Sequence, residues 1–207
     1  MSGLLFVVSA ASGTGKTSLV KALLERVNNL HVSVSHTTRD QRPGELEGVH
    51  YHFSQKEDFL ALVEQGGFIE HAEVFGNYYG TAQATVKQQL AKGHDVLLEI
   101  DWQGAEQVRK LFPESKQIFI LPPSQFDLRQ RLSNRGTDSV EVIEHRLSCA
   151  VEDMQQYTNF DYVIINDDFN KALHDLECVI IANRLSLAQQ TNRQQELIQK
   201  LITPVEL

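Results

Sequence analysis

The 207-residue sequence contains little cysteine, with only Cys149 and Cys178. The two are far apart and have no metal-ligand spacing, which favours buried free thiols over a disulfide or a metal site. No apolar run approaches the roughly 18–20 residues that span a bilayer. The apolar start at residues 4–8 also lacks the basic flank and the small-residue cleavage site of a signal peptide. We therefore expect a cytoplasmic protein with no membrane partner.

The sequence also lacks an excess of basic residues. Its 27 acidic side chains exceed its 19 lysines and arginines, for a formal net charge of −8. A surface that binds nucleic-acid phosphates needs the opposite balance, so we expect no nucleic-acid partner. An anionic small molecule is not excluded, because a local basic cluster can outweigh the total charge.

What the sequence does contain is a series of short, continuously apolar runs, each followed by a helical pattern. Unbroken apolarity is typical of strands that are buried on both faces, as in a parallel sheet. The alternation of such strands with helices predicts a doubly wound α/β core. The runs are residues 4–9, 96–100, 117–121 and 162–165.

Two stretches interrupt this alternation within what we predict to be a single domain. Residues 32–81 are rich in turns and alternate in polarity, which predicts an inserted mixed-β subdomain with antiparallel strands around one short helix. Ser54 and Glu57 have capping-box spacing at that helix, and Gly76-Asn77 fits a tight turn. Residues 125–157 predict a helical lid. The core then comprises residues 1–31, 82–124 and 158–207, and it ends in a long helical pattern over residues 170–200.

The first apolar run leads into a glycine-rich loop whose ending, Gly15-Lys16-Thr17, matches a P-loop. Glycines let successive backbone N–H groups turn toward a phosphate, and the helix N-terminus adds partial positive charge. Lys16 can reach the β- and γ-phosphates of ATP, and Thr17 can ligate Mg²⁺. Ala10 replaces the usual first glycine, a mild change where φ is negative. The predicted ATP-binding residues of this loop are Ala10, Ala11, Ser12, Gly13, Thr14, Gly15, Lys16 and Thr17.

A second candidate anion site lies in residues 35–51, where Arg39 and Arg42 precede the turn Pro43-Gly44 and Tyr51 follows. Two guanidinium groups and a phenol can grip one phosphate monoester, because guanidinium matches phosphate in a bidentate way. A solvated surface loop explains this segment equally well, so the segment alone leaves both interpretations open.

With these residues in view, the sequence closely resembles the guanylate kinases of the bacterial housekeeping type. The resemblance extends from about residue 4 to about residue 190, and the order of the motifs is more specific than any one of them. The matching pieces are the P-loop, residues 35–42, Gly44-Glu45, Tyr51, residues 68–70, 76–81, 100–104, 131–136 and 163–168.

The resemblance implies a role for each matching side chain. The GMP phosphate would be held by Arg39, Arg42, Tyr51 and Tyr79. The guanine would be faced by Ser35, Glu70 and Thr81, and the GMP site would be completed by Glu45 and Asp101. The transferring phosphates would meet Lys16 and the lid arginines Arg131, Arg135 and Arg146. Asn166 would lie near the adenine of ATP. Glu99 replaces the first acid of the family's Asp-x-Asp pair and would either act on Mg²⁺ through water or position the P-loop lysine.

The chemistry of guanine supports the role of Glu70 independently of the family. Guanine presents adjacent N1–H and N2–H donors that one carboxylate can accept together, whereas adenine would leave that carboxylate unpaired. A bidentate base contact discriminates by about 1–3 kcal/mol, and a stranded buried polar group costs about 1–3 kcal/mol more. Hydroxyl groups of Ser35 or Thr81 can donate to O6.

The sequence thus predicts an enzyme that uses Mg²⁺ with ATP and converts ATP + GMP to ADP + GDP by in-line transfer. The alternatives are another P-loop nucleoside monophosphate kinase and a non-catalytic guanylate-kinase-like module that binds phosphorylated peptides. A regulatory GTPase is disfavoured because no Asn-Lys-x-Asp motif is present. Four histidines fall in the insert without HExxH spacing, so we predict no histidine metal site there. They are His36, His50, His52 and His71.

Overall fold

The structure, a computed structural model, describes residues 3–74, 76–133 and 140–203. The strands are β1 (Leu5–Ala10), β2 (Leu30–Val32), β3 (His36–Thr37), β4 (His52–Phe53), β5 (Phe68–Val74), β6 (Asn77–Ala82), β7 (Asp95–Glu99), β8 (Lys116–Leu121) and β9 (Tyr162–Ile165). The helices are α1 (Lys16–Arg26), α2 (Lys56–Glu64), α3 (Gln83–Ala91), α4 (Trp102–Leu111), α5 (Gln125–Ser133), α6 (Val140–Gln155), α7 (Phe169–Arg184), α8 (Leu187–Arg193) and α9 (Gln195–Ile202), with a 3₁₀ turn at Gln156–Asn159. Each of these helices is too short or too polar to span a bilayer.

The core is a five-stranded parallel sheet with the strand order β2-β7-β1-β8-β9. Helices α1 and α7 pack on one face and α3 and α4 on the other, so the apolar side chains of β1, β7 and β8 are buried on both sides. This confirms the predicted doubly wound α/β class. Because all five strands run the same way, their carboxyl ends form one edge, where the loops that follow β1, β7 and β9 meet.

A second, four-stranded sheet has the order β4-β3-β6-β5. Strand β3 pairs with β4 in parallel and with β6 antiparallel, and β5 and β6 form an antiparallel hairpin. The sheet is therefore mixed, as predicted, although not all its strands are antiparallel. Val32, which was predicted to open the insert, belongs to β2 at the edge of the core sheet. The division into a GMP-binding insert (32–81) and a lid (125–157) stays a prediction.

Two local predictions were wrong. The capping box at α2 does not form: the helix begins after Gln55 without a side-chain cap, and the buried Ser54 hydroxyl has no hydrogen-bond partner among the described residues. The cysteines are also less buried than expected, since Cys149 is half-buried and Cys178 is exposed; these two described residues form no disulfide.

The long C-terminal helix was predicted as one element but is three, α7, α8 and α9. The break brings two arginines to one buried acid. Asp95, with no exposed surface, binds Arg184 at 2.7 Å and Arg193 at 3.1 Å. On one straight helix those arginines would be about 13 Å apart along the axis, because each residue rises about 1.5 Å. The turn between α7 and α8 therefore lets both reach the same carboxylate.

Candidate active site

The P-loop connects β1 to α1 at the carboxyl edge of the core sheet. Gly15 has a φ of +94°, and a Cβ placed on it would lie 2.7 Å from Nδ2 of Asn166. Both the backbone angle and the space therefore require glycine at this position. Among the described residues, the one non-glycine residue with positive φ is Asn29. Ala10 therefore does not have positive φ, and its methyl group causes no backbone strain.

Lys16 lies between the P-loop and the acids at the end of β7. Its Nζ donates to the carbonyl oxygen of Ile100 at 3.0 Å. Burial lowers the pKa of the ammonium group, whereas the nearby carboxylates of Glu99, Asp101 and Glu70 raise it. Lys16 thus places a partly buried amino group beside three carboxylates, at the point where the loop can receive phosphates.

The two acids at the end of β7, Glu99 and Asp101, make different contacts. The hydroxyl of Thr17 donates to the carboxylate of Glu99. These are oxygen donors of the kind that Mg²⁺ prefers, so the residues present fit the predicted ion. Asp101 instead accepts from the backbone N–H of Gly104 at 2.8 Å and caps α4. The described part of the chain brings together no three His, Cys, Asp or Glu side chains that could hold a metal ion.

Two side chains support the P-loop from behind. Asn166 Nδ2 donates to the carbonyl of Thr14 at 2.7 Å, and Arg131 donates to the same oxygen at 3.1 Å and to the carbonyl of Asn166 at 3.0 Å. Arg146 is half-buried on α6, and Arg135 lies outside the described residues. The contacts of these groups with adenine and the transferring phosphates stay predictions.

Ser35, Thr81 and Glu70 meet in one hydrogen-bonded chain. The two hydroxyl groups are 3.1 Å apart, and Thr81 donates to Glu70 at 2.6 Å. Glu70 is 4% exposed. Burial raises its pKa to about 7, against the lowering effect of the Thr81 hydrogen bond. The structure thus brings together the three side chains expected to face guanine, although they come from distant segments.

The side chains expected at the GMP phosphate form a second group. Arg39 donates to Glu45 at 2.8 and 3.1 Å, and its guanidinium lies 5.4 Å from the centre of the Tyr51 ring. The rings of Tyr51 and Tyr79 are 5.9 Å apart. Glu45 also accepts from the backbone N–H of Arg42 at 2.8 Å. Because Glu45 is an anion bound to Arg39, its position suits orientation of that arginine rather than contact with a phosphate.

Helix α4 contributes contacts that no sequence pattern marks. A Cβ on Gly104 would lie 2.7 Å from Oε2 of Glu70. Gln107 exchanges hydrogen bonds of 3.1 and 2.9 Å with the main chain of His71, next to Glu70, and Trp102 donates to Asp153 at 2.9 Å. These hydrogen-bonded partners are 36 and 51 positions apart in the chain. A local pattern therefore could not reveal them.

Comparison with known proteins places this site in a family. The guanylate kinase family model matches residues 2–183. Guanylate kinases of Acinetobacter baylyi and Psychrobacter arcticus are 86% and 58% identical to this chain, each over 99% of both chains. The crystal structure of guanylate kinase from Anaplasma phagocytophilum, 34% identical, matches with a TM-score of 0.79 over 99% of this chain and 97% of its own. The chain belongs to the guanylate kinase family.

Proposed function

We propose that this protein is a cytoplasmic enzyme that transfers the γ-phosphoryl group of ATP to GMP, forming ADP and GDP in guanine nucleotide synthesis and recycling. Family membership along the chain supports catalysis. The observation that carries the choice of acceptor is the hydrogen-bonded set of buried Glu70, buried Thr81 and half-buried Ser35. A carboxylate and two hydroxyl groups in contact suit the hydrogen-bonding edge of guanine.

Recognition of the base rests on ionised Glu70, which accepts from N1–H and N2–H of guanine. The hydroxyl of Ser35 or Thr81 donates to O6. Adenine presents an acceptor at N1, which faces the carboxylate without a proton between them. Because Glu70 is buried, water cannot relieve that mismatch, and AMP is rejected.

The acceptor phosphate lies between Arg39, Arg42, Tyr51 and Tyr79. Glu45 holds Arg39 by two hydrogen bonds, so little side-chain freedom is lost when the phosphate binds. The attacking oxygen of GMP is already anionic, so the reaction needs no strong general base. Positioning and charge stabilisation are the main contributions of the protein.

The donor triphosphate is held by backbone N–H groups of the P-loop, by the N-terminus of α1 and by Lys16. When bound with ATP, Mg²⁺ neutralises phosphate charge; Thr17 would hold it, with Glu99 behind the hydroxyl. Arg131, Arg135 and Arg146 stabilise charge on the transferring group. Closure of residues 32–81 and 125–157 over the substrates excludes water and limits ATP hydrolysis.

An acceptor panel tests this function. ADP release is measured with GMP, AMP, UMP or no acceptor, and GMP is expected to exceed the others in kcat/KM by at least about 10³-fold. Equal use of AMP would indicate another nucleoside monophosphate kinase. Tight GMP binding without any turnover would indicate a non-catalytic binding module.

A further inference from the structure

Helix α4 is hydrogen-bonded at one point to the C-terminal end of α6 and at a second point to the segment that follows α6. At its first residue, the indole N–H of Trp102 donates to Oδ1 of Asp153 at 2.9 Å. Two turns further along α4, and two residues before its end, Arg109 donates to Asp161 at 3.2 and 3.3 Å and to the carbonyl of Asn159 at 3.2 Å. A cavity of about 360 Å³ lies between these contacts. Beside this cavity, the hydrogen bond between Trp102 and Asp153 links α4 directly to α6.

The position of Asp153 on α6 connects it with Arg146. The two residues are seven positions apart, which is close to two turns, so they lie within about 20° of the same helix face. The neighbouring side chains Leu147, Ala150 and Met154 pack on the P-loop residue Ala11 and on α5. A rotation of α6 about its axis would therefore displace Arg146 and Asp153 together.

The other end of this bond is next to the reaction edge. Trp102 directly follows Asp101, which caps α4 and whose charge acts on Lys16. Burial raises the pKa of Asp153, whereas the indole N–H lowers it. The half-buried carboxylate thus depends on this donor for stabilisation of its charge. The bond connects a fixed part of the core to the helix that carries Arg146.

We propose that Trp102 and Asp153 are positioning residues for phosphoryl transfer: their hydrogen bond fixes the rotation of α6 and thereby directs Arg146 at the transferring phosphates. This inference rests on the proposed function, because Arg146 acts on phosphates only if the chain transfers one. Neither residue touches a substrate. Loss of the bond should therefore reduce the rate of the transfer step and leave ground-state binding of both substrates nearly unchanged.

The decisive variants are Trp102→Phe, which keeps an aromatic ring but removes the N–H donor, and Asp153→Ala, which removes the acceptor. Each is expected to lower kcat roughly tenfold while KM for GMP and for ATP stays within about twofold. Asp153→Asn keeps an acceptor oxygen and should retain most of kcat. Gln103→Ala, at an exposed neighbouring position, is the matched control and should behave as the wild type.

Two further measurements separate positioning from general loss of structure. In an Arg146→Ala background, Trp102→Phe should cause no additional loss of kcat, because the group that it directs is absent. Trp102 is the one tryptophan in the sequence, so its fluorescence emission should shift in Asp153→Ala and stay close to the wild type in Asp153→Asn.

The inference is overturned if Asp153→Ala, shown by circular dichroism to be folded, keeps the wild-type kcat. It is also overturned if the losses from Trp102→Phe and Arg146→Ala simply add. These outcomes require a wild-type protein that phosphorylates GMP. An inactive wild type would instead refute the proposed function, so the two failures are distinguishable.

Discussion

The two proposed phosphate-binding regions of this protein are constructed from different parts of the chain. At the P-loop, backbone N–H groups in a single glycine-containing turn would face the donor phosphates, with Lys16 as the principal side chain. At the proposed acceptor site, side chains would bind the phosphate, and they come from positions between Arg39 and Tyr79. The first region depends on backbone conformation and the second on the identity of each side chain. Substitutions should therefore affect the two in different ways.

The largest effect is expected for Lys16, the principal side chain of the P-loop region. Lys16→Met should lower kcat by at least about 10³-fold, because it removes a partly buried cation from the developing phosphate charge. The folded circular dichroism spectrum should persist, since the methionine keeps the apolar stem. Lys21→Met, on the exposed side of α1, serves as control. Near-normal turnover of the Lys16 variant would refute the assigned role.

Glu70→Gln should damage use of GMP almost as severely. One of the two acceptor oxygens becomes a donor that meets an N–H of guanine, so kcat/KM for GMP should fall by roughly 10²–10³-fold. The affinity for ATP should barely change. Glu73→Gln, at an exposed position of the same strand, should leave both unaffected. Equal losses for ATP and GMP would place Glu70 away from the base.

Arg42→Ala should weaken GMP binding by about 10–100-fold, the usual value of a charge-assisted hydrogen bond to phosphate. Titration calorimetry with GMP measures the effect, and Arg26→Ala, at an exposed site on α1, is the comparison. An unchanged affinity would mean that the acceptor phosphate lies elsewhere.

The affinity for GMP should also depend on pH through Glu70. Its pKa of about 7 in the free protein should fall when guanine donates to the carboxylate, so GMP binds more weakly as pH drops through 7. Between pH 8 and pH 6 the expected loss is about tenfold. The GMP phosphate also titrates, with a second pKa of about 6. In Glu70→Gln the carboxyl group no longer titrates, and only the contribution of the GMP phosphate remains. If the variant and the wild type show the same pH dependence of GMP affinity, the assignment of Glu70 is contradicted.

The smallest effect is expected where only the backbone matters. Ala10→Gly restores the usual P-loop residue, but Ala10 already has an unstrained backbone. KM for ATP should therefore change by less than about twofold. Gly15→Ala is the counterpart, because there a Cβ would meet Asn166. A strong improvement of ATP binding in Ala10→Gly would mean that the methyl group obstructs the phosphates. The claim that only the backbone conformation matters at this position would then be wrong.

The same contrast explains what the sequence could predict. The P-loop and the core strands are local: their residues are consecutive, and the apolar runs that predict β1, β7, β8 and β9 lie within one or two residues of the observed bounds. The break between α7 and α8 was not predicted, and Asp95, the residue that Arg184 and Arg193 both bind across it, is about 90 positions away. The contacts of α4 with Asp153 and His71 also join residues that are far apart in sequence, at 51 and 36 positions. The side chains of the proposed guanine site were predicted from the resemblance to a family. The hydrogen bonds between them could be seen only in the folded structure.

Asp95 has a practical consequence for anyone who shortens this protein. The region that matches the family model ends at residue 183, one position before Arg184 and ten before Arg193, the two cations that neutralise the buried carboxylate. A fragment cut at the family boundary would keep the acid and discard both counterions. An uncompensated buried charge typically costs about 3–5 kcal/mol, a large share of the free energy of unfolding of a domain this size. The smallest stable unit is thus longer than the region that the family model matches.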